Sequence, residues 1–269
     1  MLPTCRPPPL ADLPGPRLRA VRGVLTDIDD TLTRDGAIEP AALAALHRLR
    51  AEGLPAIAIT GRPAGWSEPF AAAWPVAAIV AENGGVMLRA AAGGIALEYA
   101  QDAATRAANL DRLRACASAI VASVPGARPA ADSAGRLTDI AIDHGEFARL
   151  DAARIGEVVA VMRAHGLNAT VSSIHVNGWI GDHTKWSGAQ WAVLRCTGAP
   201  LAPADWVYVG DSTNDQPMFE QIPLSVAVAN IEPFLPQLAM RPAYVTRAER
   251  GAGFAEVVDA LLAARRASL

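Results

Sequence analysis

The sequence predicts an α/β protein in which a parallel β-sheet is interrupted by an inserted α+β module. Near both ends of the chain, short apolar strands alternate with predicted helices and lack the period-two pattern of half-exposed strands. That pattern is typical of a parallel sheet covered on both faces. Between them, over roughly residues 86–182, hairpin signals mix with two longer helices. The chain has 269 residues, 51% of them hydrophobic, which is enough to bury a large core.

The first part of the predicted sheet consists of three apolar strands. They cover residues 23–26, 55–60 and 76–81. The helix between the first two begins at Glu39-Pro40, because a proline suits the first turn of a helix, and it ends before Gly53. A shorter helix is predicted after Arg62-Pro63.

The inserted module opens with a predicted hairpin that turns at Gly93-Gly94, between strands at 86–88 and 95–99. Two helices and three further strands complete it. They are a helix over 102–124, a strand over 137–143, a helix over 147–165 and a hairpin over 169–180 that turns near Asn177-Gly178.

The parallel pattern resumes at Lys185. The predicted elements are a helix over 185–196, strands over 206–209, 225–229 and 244–245, and a final helix over 255–264. The most economical division is a Pro-rich N-terminal tail over 1–20, a core domain over 21–85 and 183–269, and an inserted domain over 86–182.

Composition and charge exclude several classes of protein. A net charge of -3 and a pI near 6.0 leave no basic surface for nucleic acid. The cysteines, Cys5, Cys116 and Cys196, are widely separated, which argues against a disulfide framework or a zinc cluster and predicts a reducing, cytoplasmic setting. The N-terminal stretch lacks the apolar core of a signal peptide, and no apolar run is long enough to span a membrane. The oligomeric state stays open between monomer and dimer.

Polar side chains follow three of the predicted strands, and a lysine opens a later helix. They are Asp27 and Asp29 after the first strand, Thr60 after the second, Asp211 and Asp215 after the strand at 206–209, and Lys185 at the helix start. Because ligands of parallel sheets bind outside the carboxyl ends of the strands, these groups are expected to converge on one pocket.

Clustered carboxylates cannot all stay ionised without a counter-charge. A hard cation with oxygen ligands supplies it, and Mg²⁺ is the usual choice where phosphate oxygens complete the coordination. Of Asp27 and Asp29, one is placed to attack phosphorus and the other to exchange protons with the leaving alcohol and the attacking water. Thr60 and Lys185 suit the oxygens of the transferring phosphoryl group.

This arrangement resembles the haloacid dehalogenase superfamily. The matching segments are its first motif, DxDxT, at residues 27–31, its second at Thr60-Gly61-Arg62, its third at Lys185 and its fourth, GDxxND, at residues 210–215. The resemblance implies that Asp27 is the nucleophile and Asp29 the acid/base. It also implies that Mg²⁺ binds to Asp27, the carbonyl of Asp29 and Asp211, and that Asn214 and Asp215 support this site.

The insert resembles the type IIB (C2B) cap, found in Cof-like sugar phosphatases, sucrose-phosphate phosphatase, mannosyl-3-phosphoglycerate phosphatase and phosphomannomutase. The run at residues 82–85, which contains Asn83, is also similar to theirs. The substrate contacts implied are Thr60, Gly61, Arg62, Asn83, Lys185 and Asn214. Arg62 has a second interpretation, a surface arginine beside Pro63. One departure is Asp30, where many members have glycine.

The predicted function is a Mg²⁺-dependent phosphatase that hydrolyses a small phosphorylated metabolite, with sugar phosphates favoured, through an aspartyl-phosphate intermediate. A cap that closes over the pocket favours a small substrate and excludes bulk water. A sugar phosphomutase is the alternative, because it uses the same nucleophile. A non-enzymatic phospho-receiver domain also clusters aspartates with a threonine and a lysine, but it is much shorter and lacks the fourth motif and the insert.

Overall fold

The computed structural model describes residues 6–267, so Cys5 lies outside the described residues. It confirms the predicted fold class, a mixed α/β protein with a large, mainly parallel sheet. The helices are α1 (Gly15–Arg19), α2 (Pro40–Ala51), α3 (Ala64–Ala73), α4 (Ala103–Ser123), α5 (Ala152–Ala164), α6 (Lys185–Thr197), α7 (Gln216–Gln221) and α8 (Arg250–Arg266). The strands are β1 (Gly23–Thr26), β2 (Thr33–Arg34), β3 (Ala37–Ile38), β4 (Ala56–Ile59), β5 (Ala78–Ala81), β6 (Val86–Ala91), β7 (Gly94–Tyr99), β8 (Arg128–Pro129), β9 (Asp139–Asp143), β10 (Asn168–Val171), β11 (His175–Trp179), β12 (Trp206–Gly210), β13 (Leu224–Ala227) and β14 (Tyr244–Val245).

The chain forms two compact units, and the first of them contains most of the parallel sheet. It comprises the described residues up to Ile59, Ala73–Ile79 and those from Ala189 onward. Its strands lie in the order β14-β13-β12-β1-β4, followed by the start of β5. The residues of β1, β4, β12 and β13 are all buried, as expected for strands covered on both faces.

Helices α2 and α1 both contact α8 in this first unit. Buried apolar residues of α8, including Phe254, Val258 and Leu261, supply much of that packing. Part of the stretch predicted as a tail joins them, because Leu18 of α1 is buried. Just after that stretch, the carbonyl of Val21 accepts a hydrogen bond of 3.0 Å from Arg265 of α8.

The second unit comprises Thr60–Ala72 and Val80–Gly188 and contains the predicted α+β module. An antiparallel hairpin, β6 and β7, precedes a four-stranded antiparallel sheet in the order β10-β11-β9-β8. Helices α4 and α5 pack on that sheet through a shared apolar core. Its buried members include Leu113, Cys116, Ile120, Val158, Met162 and Val176.

The helix predicted over 147–165 begins later, at Ala152. The reason is Asp143, whose buried carboxylate accepts hydrogen bonds of 2.9–3.1 Å from the backbone N–H groups of residues 145–148. Those groups are therefore satisfied in a loop rather than in a helix. Asp151 then caps α5 by accepting from the N–H of Arg154.

The second predicted hairpin turns elsewhere, at residues 172–174, and the prediction of a turn near Asn177-Gly178 is wrong. Both residues lie inside β11, where Asn177 pairs with Thr170 and Gly178 with Ala169. The turn closes through the N–H of Ser172, which donates to the carbonyl of His175 at 2.9 Å. The first hairpin turns at Ala92-Gly93, one residue earlier than predicted. The short strand β8 lies in a segment that was predicted to be a loop.

The last helix begins at Arg250, five residues earlier than its apolar pattern predicted. Gly251 and Gly253 lower the intrinsic helix propensity of this first turn. Packing requires them, because a Cβ on Gly253 would lie 2.4 Å from the carbonyl oxygen of Ala248. Among the described residues, no helix combines the length and the apolar character that a membrane crossing needs.

Candidate active site

Two neighbouring parallel strands of the first unit bring the predicted carboxylates together. In β1 and β12, Thr26 is in register with Val209, so the segments that follow the two strands lie side by side. Asp27 continues this pairing by donating its N–H to the carbonyl of Val209 at 2.8 Å. Asp27, Asp211 and Asp215 each offer an oxygen within 4.8 Å of the others. All three residues are at least 97% buried.

Asp215 organises the loop after β12 from within. Its carboxylate accepts hydrogen bonds from the N–H groups of Asp211, at 2.8 Å, and Ser212, at 3.0 Å. It also accepts from the hydroxyl of Tyr208 at 2.5 Å. Burial and the nearby Asp215 raise the pKa of Tyr208 well above its ordinary value, so the phenol stays protonated and remains a donor.

Asn230 is a neighbour of Asp211 that the motif pattern did not indicate. Its amide donates to the Asp211 carboxylate at 3.2 Å and to the carbonyl of Asp30 at 3.0 Å. The amide oxygen in turn accepts from the N–H of Arg250. No spacing rule links these positions, because the contact depends on how the segment after β13 folds back.

Asp30 pairs with Arg250, whose Nε donates to the carboxylate at 2.8 Å. Both residues have positive φ, 55° for Asp30 and 50° for Arg250. Glycine adopts this left-handed conformation without the steric cost that a side chain brings. Here the ion pair neutralises the additional carboxylate and stabilises both residues in an unfavourable backbone region.

The other two candidates of this unit lie in the same loops. Asp29 is partly exposed in the turn after β1, two positions from Asp27. Asn214 is buried in the loop after β12, and its side-chain oxygen accepts a hydrogen bond of 2.9 Å from the hydroxyl of Ser212. Asp29 is therefore the more accessible of the two first-motif carboxylates.

The three buried carboxylates fit a metal ion. Like charges this close and this buried require a cation or a proton between them. The donor atoms are oxygens, which hard divalent cations prefer, and the hydrogen bonds to Asp215 and Asp211 hold two of the three groups in place. The cluster therefore has the chemistry of a divalent-cation site.

Thr60 lies in the second unit, where hydrogen bonds fix both its backbone N–H and its backbone carbonyl. Its N–H donates to the carbonyl of Val80 at 2.8 Å, and its carbonyl accepts from the N–H of Asn83 at 3.0 Å. The hydroxyl oxygen accepts a hydrogen bond of 3.0 Å from the N–H of Arg62. Residues 60–62 thus form a tight turn after β4.

The surface interpretation of Arg62 is wrong, because this residue is only 4% exposed. The guanidinium donates to Asp132 at 3.2 Å and to both oxygens of Glu146, and it stacks over the ring of Trp66 at 4.9 Å from the centroid. The hydrogen bond from His175 and the charge of Arg62 lower the pKa of Glu146 to about 2.

Glu82 and Asn83 both adopt positive φ, 51° and 55°, directly after β5. The buried Glu82 carboxylate accepts from the N–H groups of Ala64, Leu137 and Thr138, and from the Thr138 hydroxyl. The amide nitrogen of Asn83 has no hydrogen-bond partner within the part of the chain that the structure describes. It is therefore available to a ligand.

Lys185 is the first residue of α6, as predicted, and it is 97% buried. The preceding Thr184 and the following Ser187 cap this helix reciprocally: each side-chain oxygen accepts from the other's backbone N–H, at 3.2 and 2.9 Å. The lysine is thus held at a helix start whose geometry is well defined.

Comparison with known proteins extends these observations. A family model of haloacid dehalogenase-like hydrolases matches residues 24–108. The curated 3-deoxy-D-manno-octulosonate 8-phosphate phosphatases of Escherichia coli K12 and Shigella flexneri are 46% identical over 66 residues, or 24% of this chain. The alignment spans about a third, 34%, of the length of those proteins.

Several solved structures have the same fold. A Thermoplasma acidophilum protein gives a TM-score of 0.71 at 17% identity, covering 90% of this chain and 98% of that one. Sucrose-phosphatase from Synechocystis sp. PCC6803 gives 0.64 at 16% identity, with the same coverage of 90% and 98%. A subclass IIB sugar phosphatase gives 0.61 at 14% identity, over 93% of this chain and 100% of that one.

The fold and the carboxylate cluster define an α/β protein with an acidic site at the carboxyl ends of parallel strands. The motif resemblance is confirmed in residues 24–108, which match the family model of haloacid dehalogenase-like hydrolases. Its fold is similar to that of the subclass IIB sugar phosphatase.

Proposed function

We propose that this protein is a Mg²⁺-dependent phosphatase of small phosphorylated metabolites, with sugar phosphates as the substrate class. The observation that carries the proposal is the cluster of Asp27, Asp211 and Asp215 at the ends of β1 and β12. Asp27 also lies within residues 24–108, the segment that matches a family model of haloacid dehalogenase-like hydrolases. The sugar-phosphate assignment is supported by relatives that are themselves named phosphatases of sugar phosphates.

In the proposed reaction, a carboxylate oxygen of Asp27 attacks phosphorus, and the bond from phosphorus to the leaving oxygen breaks. Asp29 gives its proton to the leaving alkoxide, which departs as an alcohol. Asp29 then takes a proton from water as that water attacks the aspartyl-phosphate, which releases inorganic phosphate and restores Asp27. The partial exposure of Asp29 suits a group that must exchange protons with water.

Asp27, Asp211 and the carbonyl of Asp29 would hold Mg²⁺, with Asp215 and Asn214 supporting them. When bound, the ion supplies charge neutralisation for the phosphoryl oxygens. Thr60 and Lys185 are proposed to bind the same oxygens, and Gly61, Arg62 and Asn83 to shape the substrate contacts.

The domain assignment stays a proposal as well. We infer that residues 86–182 act as the cap and that residues 21–85 and 183–269 act as the core. Support comes from the antiparallel sheet and apolar core of the second unit, which differ in kind from the parallel sheet of the first. We also propose a cytoplasmic location and a small-molecule substrate, as expected from the sequence.

The test of the function is release of inorganic phosphate by the full-length protein and its Asp27→Asn variant. With p-nitrophenyl phosphate and Mg²⁺, the wild type is expected to release phosphate and Asp27→Asn to lose about 10³-fold or more in kcat, because an amide is a poor nucleophile. Circular dichroism and thermal unfolding check that the variant folds. Unchanged turnover by Asp27→Asn would remove the nucleophile assignment.

Two controls complete this experiment. Asp259→Asn alters an exposed carboxylate of α8 and is expected to keep wild-type activity. Chelation by EDTA is expected to abolish activity, and added Mg²⁺ to restore it; activity that persists in EDTA contradicts the metal assignment. Assays on hexose phosphates separate phosphatase from mutase, since a mutase yields isomerised sugar phosphate with little free phosphate.

A further inference from the structure

The turn at Thr60-Gly61-Arg62 is held by buried side chains from the α+β module of the same compact unit. The carbonyl of Gly61 accepts two hydrogen bonds, 3.0 Å from Nη1 of Arg136 and 3.1 Å from Nδ2 of Asn177. Arg136 precedes β9 and Asn177 lies within β11, so two separate segments converge on one backbone oxygen.

Arg136 is itself tightly fixed. Its side chain is 2% exposed, and it binds both oxygens of Asp139, at 2.8 and 2.9 Å, and one oxygen of Asp132, at 3.0 Å. Burial alone would lower the pKa of Arg136, but the charges of Asp139 and Asp132 raise it above its ordinary value. The guanidinium is therefore permanently charged, and its fork geometry directs one N–H at Gly61.

Asp132 also binds Arg62, so one carboxylate joins the two arginines on either side of the turn. Asn177 is 1% exposed and lies beside the carboxylate of Asp139 at 3.4 Å. The turn is thus held at its Gly61 carbonyl and at its Arg62 guanidinium by one connected, buried network.

The consequence for Thr60 follows from the orientation of a single peptide group. The Gly61–Arg62 peptide has its carbonyl held by Arg136 and Asn177, and its N–H donates to the hydroxyl oxygen of Thr60. A threonine hydroxyl has one proton and two lone pairs. Since one lone pair accepts from Arg62, the proton is directed away from that bond and is left to donate to an anionic oxygen.

We propose that Arg136 and Asn177 are positioning residues, which bind the Gly61 carbonyl and thereby orient the Thr60 hydroxyl as a hydrogen-bond donor to phosphate. The inference rests on the proposed function, because it gives Thr60 the role of a phosphate ligand. Arg136 and Asn177 would thus contribute to phosphate binding without contacting the phosphate themselves.

The main test replaces Asn177 by leucine, which keeps a similar volume but cannot donate to Gly61. The matched control is Asn109→Leu, since Asn109 is a buried amide of α4 that bonds to Gln101 and makes no contact with the turn. Two quantities are measured in the full-length protein: the inhibition constant of inorganic phosphate against p-nitrophenyl phosphate, and the hydrogen-exchange rate of the Arg62 amide.

Asn177→Leu is expected to raise the inhibition constant and the Arg62 exchange rate by about 10-fold or more relative to Asn109→Leu, because small displacements of a binding group are costly. Equal values in the two variants would overturn the proposal. If Asn177→Leu does not fold, Gly61→Ala serves instead, since its Cβ would lie 3.1 Å from the Asn177 side-chain oxygen and 3.3 Å from the Asn83 amide. Wild-type phosphate inhibition in Gly61→Ala would likewise overturn the proposal.

The proposed function and the positioning role are tested by different results. If the wild type releases no phosphate, the proposed function is wrong. If the wild type is active but Arg62 exchange and phosphate inhibition match in Asn177→Leu and Asn109→Leu, the positioning role is wrong and the function stands.

Discussion

At the scale of single residues, the fourth-motif loop depends on one buried carboxylate. Asp215 accepts from two backbone N–H groups and from the Tyr208 hydroxyl, so its role in the structure is to hold Asp211 in place. The motif placed Asp215 among the metal-binding residues, and it belongs to the carboxylate cluster. Tyr208, in the strand before this loop, belongs to no motif. Its hydroxyl contributes because it donates a hydrogen bond to Asp215.

Replacement of Tyr208 by phenylalanine tests this support. The variant is expected to lose about 1–2 kcal/mol of unfolding free energy, because a buried charged acceptor loses one of its donors. It is also expected to bind Mg²⁺ several-fold more weakly, since supporting groups tune metal affinity. Urea unfolding and calorimetric Mg²⁺ titration measure the two effects. Tyr244→Phe, in the partly exposed β14, is the control, and equal values in both variants contradict the prediction.

At the scale of elements, loop and helix boundaries in the second unit are set by side chains that compete for backbone donors. Asp143 accepts from the N–H groups of residues 145–148, and the predicted helix included the last two of them. Asp151 plays the ordinary capping role one turn later. The sequence predicted a helix in this region, but it carried no information on which carboxylate is buried.

The two aspartates are therefore expected to differ in their contribution to stability. Asp143→Ala should cost about 2–4 kcal/mol, because four backbone donors lose a buried, charged acceptor. Asp151→Ala should cost only about 1 kcal/mol, as is usual for a helix N-cap. Chemical denaturation of both variants measures the difference. A cost for Asp143→Ala no larger than that for Asp151→Ala would show that the loop does not depend on this carboxylate.

At the scale of the whole molecule, stability is linked to pH through buried ion pairs. Glu146 is the clearest case: hydrogen bonding to His175, together with Arg62, lowers its pKa from 4.5 to about 2. Because the folded-state pKa is depressed, the ionised form stabilises the fold above the unfolded-state pKa. That contribution is lost as the pH falls through the folded-state value.

Glu146→Gln is expected to be less stable than the wild type at neutral pH. The difference should shrink as the pH falls from about 5 to about 2, because the wild-type carboxylate becomes protonated over that range. Thermal unfolding across this range measures it. Glu157→Gln, an exposed carboxylate on α5, controls for loss of charge in the same unit. A difference from the wild type that does not change with pH would contradict the linkage.

The sequence by itself determined the fold class, the positions of the strands that carry the motifs and the identity of the three clustered carboxylates, although it had grouped Asp29 with them. This was possible because apolar strands, glycine stops and strand-end aspartates are local signals. Asp27 and Asp211 could be placed at one edge from the geometry of parallel strands alone. The start of α6 at Lys185 was also predictable, because a helix start depends on neighbouring residues.

Tertiary structure alone decided which polar side chains are buried and what they bind. The sequence left two interpretations of Arg62 open, and the structure shows a buried cation between Asp132 and Glu146. Asn177 was predicted to lie in a turn, and it is instead a hydrogen-bond donor to the carbonyl of Gly61. The physical reason is that buried polar groups must find partners, and those partners are distant in sequence. Local pattern therefore determined the elements, whereas the hydrogen-bond demands of buried groups determined the details of each site.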